Sequence, residues 1–286
     1  MHRAVDPQLS VEPKLKEKER ALRALIQELG EVVVAYSGGV DSACLLKVAH
    51  EELGERAVGL TALSPSLAPW ELEEARALAQ QMGVRLIEVE THELSRPGYR
   101  ANAGDRCYHC KAELFDVASL TLKARALQGV LCYGAITDDL GDVRPGMSAA
   151  QDRGVRAPLL EVGLGKAEVR ALAQGLGLSV WDKPAAACLS SRFPFGTEVT
   201  AERLDQVGRC EAGVIALGLP IVRARYHGEL VRLELGAEEL KALFADPSLR
   251  RRVTEACKGA GFTFVSIDLD GYRSGSAHEA LVQIGG

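Results

Sequence analysis

The chain has 286 residues, 47% of them hydrophobic, a formal net charge of −5 and seven cysteines, so it is long enough for about two folded domains. No apolar run approaches the ~20 residues of a membrane span, the charged residues 1–20 hold no apolar signal segment, and the acidic balance argues against a general nucleic-acid binder. The expected location is therefore the cytoplasm, where cysteines serve catalysis, metal binding or plain burial rather than a disulfide framework.

Residues 1–13 read as a leader containing Pro7 and Pro13, and 14–29 as a charged amphipathic helix closed by Gly30. Val32-Val33-Val34-Ala35-Tyr36 is a buried strand, followed by Ser37-Gly38-Gly39-Val40-Asp41-Ser42 and a helix over 43–53. A strand, a short Gly/Ser turn and a helix start make a phosphate-binding arrangement. The glycines let the backbone turn and approach an anion, while hydroxyls and helix N-terminal N–H groups supply donors. This is not the Walker A pattern, because no Gly-Lys-Ser/Thr follows at the required distance. The hexapeptide is similar to the pyrophosphate loop of ATP pyrophosphatases, which assigns Ser37, Gly38, Gly39, Asp41 and Ser42 to ATP.

A strand over 57–63, a helix over 69–82 and a strand over 84–90 continue an alternation that favours a parallel sheet. Ligands of such sheets lie outside the carboxyl ends of the strands, near a topological switch point. Thr61, leaving the second strand on that side, is expected to offer backbone groups to adenine. The loop 96–105 leads into Arg106-Cys107-Tyr108-His109-Cys110-Lys111 and a helix over 112–128. A strand over 130–133 runs into Gly134-Ala135-Ile136-Thr137-Asp138-Asp139. Acidic residues at a strand's carboxyl end hold nucleotide magnesium or cap a helix, and Asp138 is assigned to the ATP site. A polar turn over 142–146 and an amphipathic helix over 165–175 precede residues 181–196, which are irregular, proline-bounded and dense in reactive side chains.

Beyond position 200 come a helix over 202–217, strands over 221–226 and 230–235 joined by His227-Gly228-Glu229, helices within 237–259 broken at Pro247, and a strand over 262–269. The expected architecture is α/β: a parallel-sheet nucleotide-binding domain over 14–196 and a smaller C-terminal α+β domain over 197–286. Arg223 and Arg225, two apart on a strand, share a face and suit a phosphate.

Cys44, Cys132, Cys210 and Cys257 lie in apolar or helical surroundings and are expected to pack inertly. Cys188 has Lys183 and Arg192 as flanking cations and Ser190 and Ser191 as nearby donors, the setting that favours a nucleophilic thiolate. The Cys107-x-x-Cys110 pair lacks the context of a thioredoxin-like motif, and as a zinc site it would want further ligands.

Taken in order, the segments 37–42, 106–111, 134–139, 142–146 and 182–196, Arg223-Ala224-Arg225, and Asp270-Gly271-Tyr272-Arg273-Ser274-Gly275 are similar to those of the LarE family. These are ATP-dependent sulfur transferases that help build the nickel-pincer nucleotide cofactor of lactate racemase, and the resemblance runs from about position 14 onward. It implies an adenine nucleotide alpha hydrolase-like domain that uses ATP and Mg2+. A carboxylate of pyridinium-3,5-biscarboxylic acid mononucleotide would become an acyl-adenylate with release of pyrophosphate, and a thiolate would then attack it. By motif position the sulfur-bearing cysteine is Cys188, consumed in the sacrificial version and left as dehydroalanine. Members carrying the extra cysteine pair resemble iron–sulfur transferases, in which Cys107, Cys110 and Cys188 would hold a 4Fe–4S cluster whose open iron takes hydrosulfide. A persulfide or disulfide relay and incidental cysteines stay open beside that cluster. The family also places Arg223 and Arg225, with Ser191 and Arg192, at the substrate phosphate, and implies a homo-oligomer fed by a sulfide or persulfide donor; charge and the lack of a long apolar run lead us to expect no nucleic-acid or membrane partner. A tRNA-thiolating enzyme of the same superfamily is the alternative, and it would bring a basic RNA surface. A GMP-synthetase-like amidotransferase would not require Cys188, and a nucleotide-binding regulator would bind ATP without turnover.

Overall fold

Val32, Val33 and Val34 have no solvent exposure at all, as expected of a parallel strand covered on both faces. The computed structural model describes residues 7–141, 145–184 and 187–273. In chain order its elements are α1 (Pro7–Leu29), β1 (Val32–Ala35), α2 (Val40–Leu53), β2 (Ala57–Leu63), α3 (Pro69–Met82), β3 (Arg85–Glu90), α4 (Pro97–Ala101), α5 (Arg106–Ala124) and β4 (Val130–Tyr133). There follow α6 (Pro145–Gln151), α7 (Pro158–Glu161), α8 (Lys166–Gly175), α9 (Ala201–Ile215), β5 (Val222–His227), β6 (Leu230–Leu235), α10 (Ala237–Ala245), α11 (Pro247–Gly259) and β7 (Phe264–Ile267).

The chain divides into two units. The first is built from the stretches through Ser64, Glu71–Glu93 and Cys107–Pro184. Its sheet has the order β3-β2-β1-β4 with every neighbouring pair parallel. Val32 and Val34 pack with Leu22 and Ile26 of α1, Leu45 and Leu46 of α2, Leu78 of α3 and Val169 and Leu172 of α8. Val33 joins Ala118 and Leu122 of α5 in one cluster, and Ala35 joins Phe115 of the same helix in another. The period-two alternation of a strand thus assigns successive valines to opposite helical layers. Strand order reverses between β1 and β4, which makes their carboxyl ends the switch point where α/β sheets bind ligands.

Among the described residues the second unit comprises Pro65–Trp70, Leu94–Arg106 and positions 187–273. Its sheet runs β5-β6-β7. The β5–β6 pair is an antiparallel hairpin, and β7 returns parallel to β6 through α10 and α11, because parallel neighbours need a long crossover.

The observed element ends differ from expectation at instructive places. Helix α1 begins at Pro7, with Pro13 inside it, so the expected leader is largely helical. Helix α5 starts at Arg106 instead of 112, which puts both cysteines of the Cys-x-x-Cys in its first two turns; that hexapeptide holds no Gly or Pro to stop a helix. The same helix ends at Ala124, short of the expected 128, because Ala126 takes a left-handed φ of 54°. A short helix, α4, stands inside the expected loop 96–105. Of the quoted motifs, positions 142–144, 185–186 and 274–275 lie outside the described residues. Among the described residues no helix is long and apolar enough to cross a membrane.

Candidate active site

The loop after β1 is held by its own hydroxyls. The Ser37 N–H donates to Ser42 Oγ at 3.2 Å, and Ser42 Oγ donates to the Gly39 carbonyl at 3.1 Å. The two serine hydroxyls lie 3.2 Å apart. Helix α2 starts at Val40, so Asp41 and Ser42 belong to its first turn, whose N–H groups lack intrahelical partners. Together with the helix dipole they favour an anion above the loop. Gly38 has a φ of +73°, and a Cβ there would come within 2.7 Å of Ala75 Cβ; only glycine meets both conditions. Gly134, just past β4, is crowded by backbone itself, since a Cβ would lie 2.8 Å from the Ser42 nitrogen and 2.9 Å from the Asp41 carbonyl carbon. Two strand ends therefore meet at backbone distance at the switch point.

Thr61 is buried, and its hydroxyl donates to the Tyr36 carbonyl at 2.8 Å, bracing the turn from the neighbouring strand. Asp138 accepts the backbone N–H of Lys166 at 2.8 Å, so it caps the start of α8. Glu168 closes the same helix end by accepting the Gly165 N–H at 2.9 Å. Asp139 accepts the Ile136 N–H at 3.1 Å.

Lys166 is the residue that sequence reasoning missed. Its ammonium reaches both carboxylate oxygens of Asp41, at 3.0 and 2.8 Å, while its backbone holds Asp138. One residue thus ties the loop after β1 to the loop after β4. Its signal was slight: a lysine following glycine at a helix start, read only as part of an amphipathic helix. Both members of the ion pair are partly exposed, 31% for Lys166 and 27% for Asp41, so a ligand arriving from solvent can exchange with either.

Within the second unit, Cys188 is partly exposed and directly precedes a single helical turn, Leu189–Arg192. Below it lies a buried ion pair. Arg192 donates through Nε and Nη2 to the two oxygens of Glu211, both at 2.8 Å, with 2% and 1% of the side chains exposed. Its Nη1 donates to the carbonyls of Ala187 at 2.7 Å and Cys188 at 3.1 Å and to Ser191 Oγ at 3.0 Å. Glu211 also accepts the Ala224 N–H of β5 at 2.8 Å. A bidentate, fully desolvated pair of this kind holds geometry tightly. Glu211 was also missed; its signal is an acid on the otherwise apolar face of α9, which buries Leu204, Val207, Cys210 and Val214. On the other side of the loop, Ser190 and Tyr99 share a buried 2.6 Å hydrogen bond, and Arg106 donates to the Ser190 carbonyl at 2.8 Å.

Arg225 donates to the Ser191 carbonyl at 2.9 Å and to Glu234 at 2.7 Å, and it is nearly buried. Arg223 is partly exposed, with its guanidinium 4.9 Å from the Tyr272 ring centroid in a cation–π contact. Of the residues expected at the substrate phosphate, the second unit therefore gathers Ser191, Arg192 and Arg225 around the Cys188 turn. Lys183, expected as a cation beside Cys188, is paired with Glu74 at 2.7 Å.

Cys44, Cys132, Cys210 and Cys257 are fully buried. Burial pushes the Cys44 and Cys132 thiols up to about 12, which suits inert packing. Cys107 is exposed and Cys110 partly so. Among the described residues, no group of three or more His, Cys, Asp or Glu side chains is arranged to hold a metal ion, so the expected 4Fe–4S cluster finds no support in this geometry.

The NAD synthase family profile matches residues 15–139 of this chain, the part that contains the loop after β1. An uncharacterised protein of Synechocystis sp. is 46% identical over 94% of this chain and all of its own length. The pyridinium-3,5-bisthiocarboxylic acid mononucleotide synthase of Lactiplantibacillus plantarum is 34% identical over 94% of this chain and 96% of its own. An uncharacterised protein of Methanocaldococcus jannaschii is 26% identical over 85% of this chain and 91% of its own.

Proposed function

Because the chain belongs to the LarE family, we propose that this ATP-using sulfurtransferase converts pyridinium-3,5-biscarboxylic acid mononucleotide to its thiocarboxylate through an acyl-adenylate. The observation that carries the reading is the glycine-turned Ser37–Ser42 loop at the switch point, bound by Lys166 to the loop after β4.

In this reading Ser37, Gly38, Gly39, Ser42 and the first turn of α2 cradle the phosphates that leave as pyrophosphate. Lys166 turns from Asp41 to the nucleotide when ATP enters, and its charge meets the one developing on the leaving group. Asp41 and Asp138, one acid from each of the two loops, would hold a magnesium ion carried in with the nucleotide, and it would supply charge neutralisation. Thr61 keeps its side chain for the scaffold and leaves its backbone to the adenine.

Cys188 then attacks the activated carbonyl. Its sulfur forms the thioester bond as the bond to AMP breaks. Loss of the Cα proton with cleavage of the Cβ–S bond leaves dehydroalanine in the chain and the sulfur on the product. Arg192 and Glu211 hold the turn on which that sulfur is presented. Arg223 and Arg225 take the substrate phosphate, as part of a C-terminal substrate and oligomerisation domain over 197–286 in a cytoplasmic homo-oligomer.

A Cys188→Ala variant tests the division of labour. It is expected to release pyrophosphate when given ATP and the dicarboxylate mononucleotide, yet to form no thiocarboxylate; thiocarboxylate from this variant would remove Cys188 from the reaction. A second reading is favoured by Cys107 and Cys110 standing three residues apart at the start of α5, one exposed and one partly so. There these two cysteines and Cys188 would hold a cluster, which would supply hydrosulfide as the sulfur donor. Iron and sulfide analysis of the anaerobically purified chain tests it, and iron-free protein that forms product would remove it.

A further inference from the structure

Two cysteines with no place in the sulfur-transfer reading touch each other inside the second unit. Cys210 on α9 and Cys257 on α11 have no solvent exposure, and their sulfurs are 3.3 Å apart. The contact is built by the helix faces. Cys210 continues the buried row Leu204, Val207 and Val214, and Cys257 continues Leu249 and Val253 at four-residue spacing. Between the helices, Gly213 faces Ala256, where a Cβ on the glycine would lie 3.1 Å from the alanine Cβ. This small-residue contact lets the helices approach closely and brings both thiols into one apolar pocket.

Two chemistries suit a pair of adjacent thiols, a covalent disulfide and a two-coordinate soft metal ion. The surroundings discriminate between them. A metal would require both sulfurs as thiolates in an apolar site, and burying charge there is costly. The hydrogen bond to Cys257, with burial second, pushes the Cys210 thiol well above its ordinary range. A disulfide is neutral and leaves no buried charge. It needs the sulfurs to close from 3.3 Å to about 2.05 Å.

We propose that Cys210 and Cys257 are a disulfide-forming pair, oxidised by small disulfides to a covalent staple between α9 and α11. One sulfur, as thiolate during a local opening, attacks the small disulfide and displaces one thiolate from it. The second cysteine then attacks the mixed disulfide and displaces the other. The pair loses two protons and two electrons, and the small disulfide takes them up as two thiols. The staple has a structural consequence, since Cys210 precedes Glu211, which holds Arg192 and through it the carbonyls of Ala187 and Cys188. Oxidation therefore fixes the helix on which the Cys188 turn is braced. Nothing in this step depends on the substrate of the sulfur transfer.

The test uses the full chain, incubated with oxidised glutathione, quenched with N-ethylmaleimide in guanidinium chloride and mapped by mass spectrometry without reduction. The expected result is a linked Cys210–Cys257 peptide and a thermal midpoint raised by roughly 5–10 °C, reversed by reductant. Cys107→Ser/Cys110→Ser should keep the link and the shift, whereas Cys257→Ser should lose both. Because the thiols are buried, the incubation is repeated in denaturant just below the unfolding transition, so that access does not limit the reaction. Recovery of Cys210 and Cys257 as separately alkylated thiols there, or as separate glutathione adducts, would overturn the proposal, whatever the serine variants do.

Discussion

Lys166 answers to two carboxylates from two loops, with its ammonium on Asp41 and its backbone N–H on Asp138. As a surface ion pair it is worth at most about 1 kcal/mol of stability, so a Lys166→Ala variant should fold with an almost unchanged thermal midpoint. Its catalytic cost should be much larger, a fall of roughly 10²-fold in the rate of pyrophosphate release, because a charge aimed at the leaving group acts mainly in the transition state. A steady-state pyrophosphate assay beside a melting curve separates the two effects. Cys44 and Cys132 carry a prediction of their own. Their thiols, with an ordinary value of 9.0, are pushed up to about 12 in the folded chain. Between those values the unfolded chain releases protons that the folded chain keeps, so their contribution to stability falls as pH rises. Native alkylation at pH 8 should therefore modify Cys107 and leave Cys44 and Cys132 intact. At this scale the glycines and serines of the loop after β1 were legible from their order alone. Lys166 was not, because its partners lie in loops 125 and 28 residues away along the chain.

Helix α9 shows what an element adds. Its periodicity was plain in the sequence, and its cap is the expected kind, Thr200 accepting the Arg203 N–H at 3.3 Å. What periodicity cannot express is that one residue of the apolar face, Glu211, is an acid whose partner Arg192 arrives from another segment. Removing one member of a buried pair leaves the other uncompensated at a cost of about 3–5 kcal/mol. Glu211→Ala should therefore destabilise the chain by that order in denaturant titration. Glu211→Gln, which keeps the shape and part of the hydrogen bonding, should recover some of the loss. Helix α5 teaches the opposite lesson. The Cys-x-x-Cys was easy to see, but its placement at the helix start was missed, although Asp105, an N-cap residue type, directly precedes Arg106.

The whole molecule is two units, and the second takes its residues from three separate stretches of chain. Backbone and side-chain bonds sew those stretches together: the Leu189 N–H donates to the Ser66 carbonyl at 2.9 Å, and Asn102 donates to the Pro194 carbonyl at 2.8 Å. Pattern and composition describe contiguous runs, so the alternation of strands and helices disclosed the parallel sheet while this interleaving stayed out of reach. The same holds for chemistry, as ATP use was legible in one hexapeptide whereas the proposed sulfur transfer draws on cysteines far apart in the chain. The measurement that tests the account most directly is the intact mass of the anaerobically purified chain before and after a single turnover with ATP and the dicarboxylate mononucleotide. The account predicts pyrophosphate and one thiocarboxylate per chain, with a mass loss equal to one H2S that peptide mapping locates at Cys188. Thiocarboxylate formed by a chain of unchanged mass would contradict it.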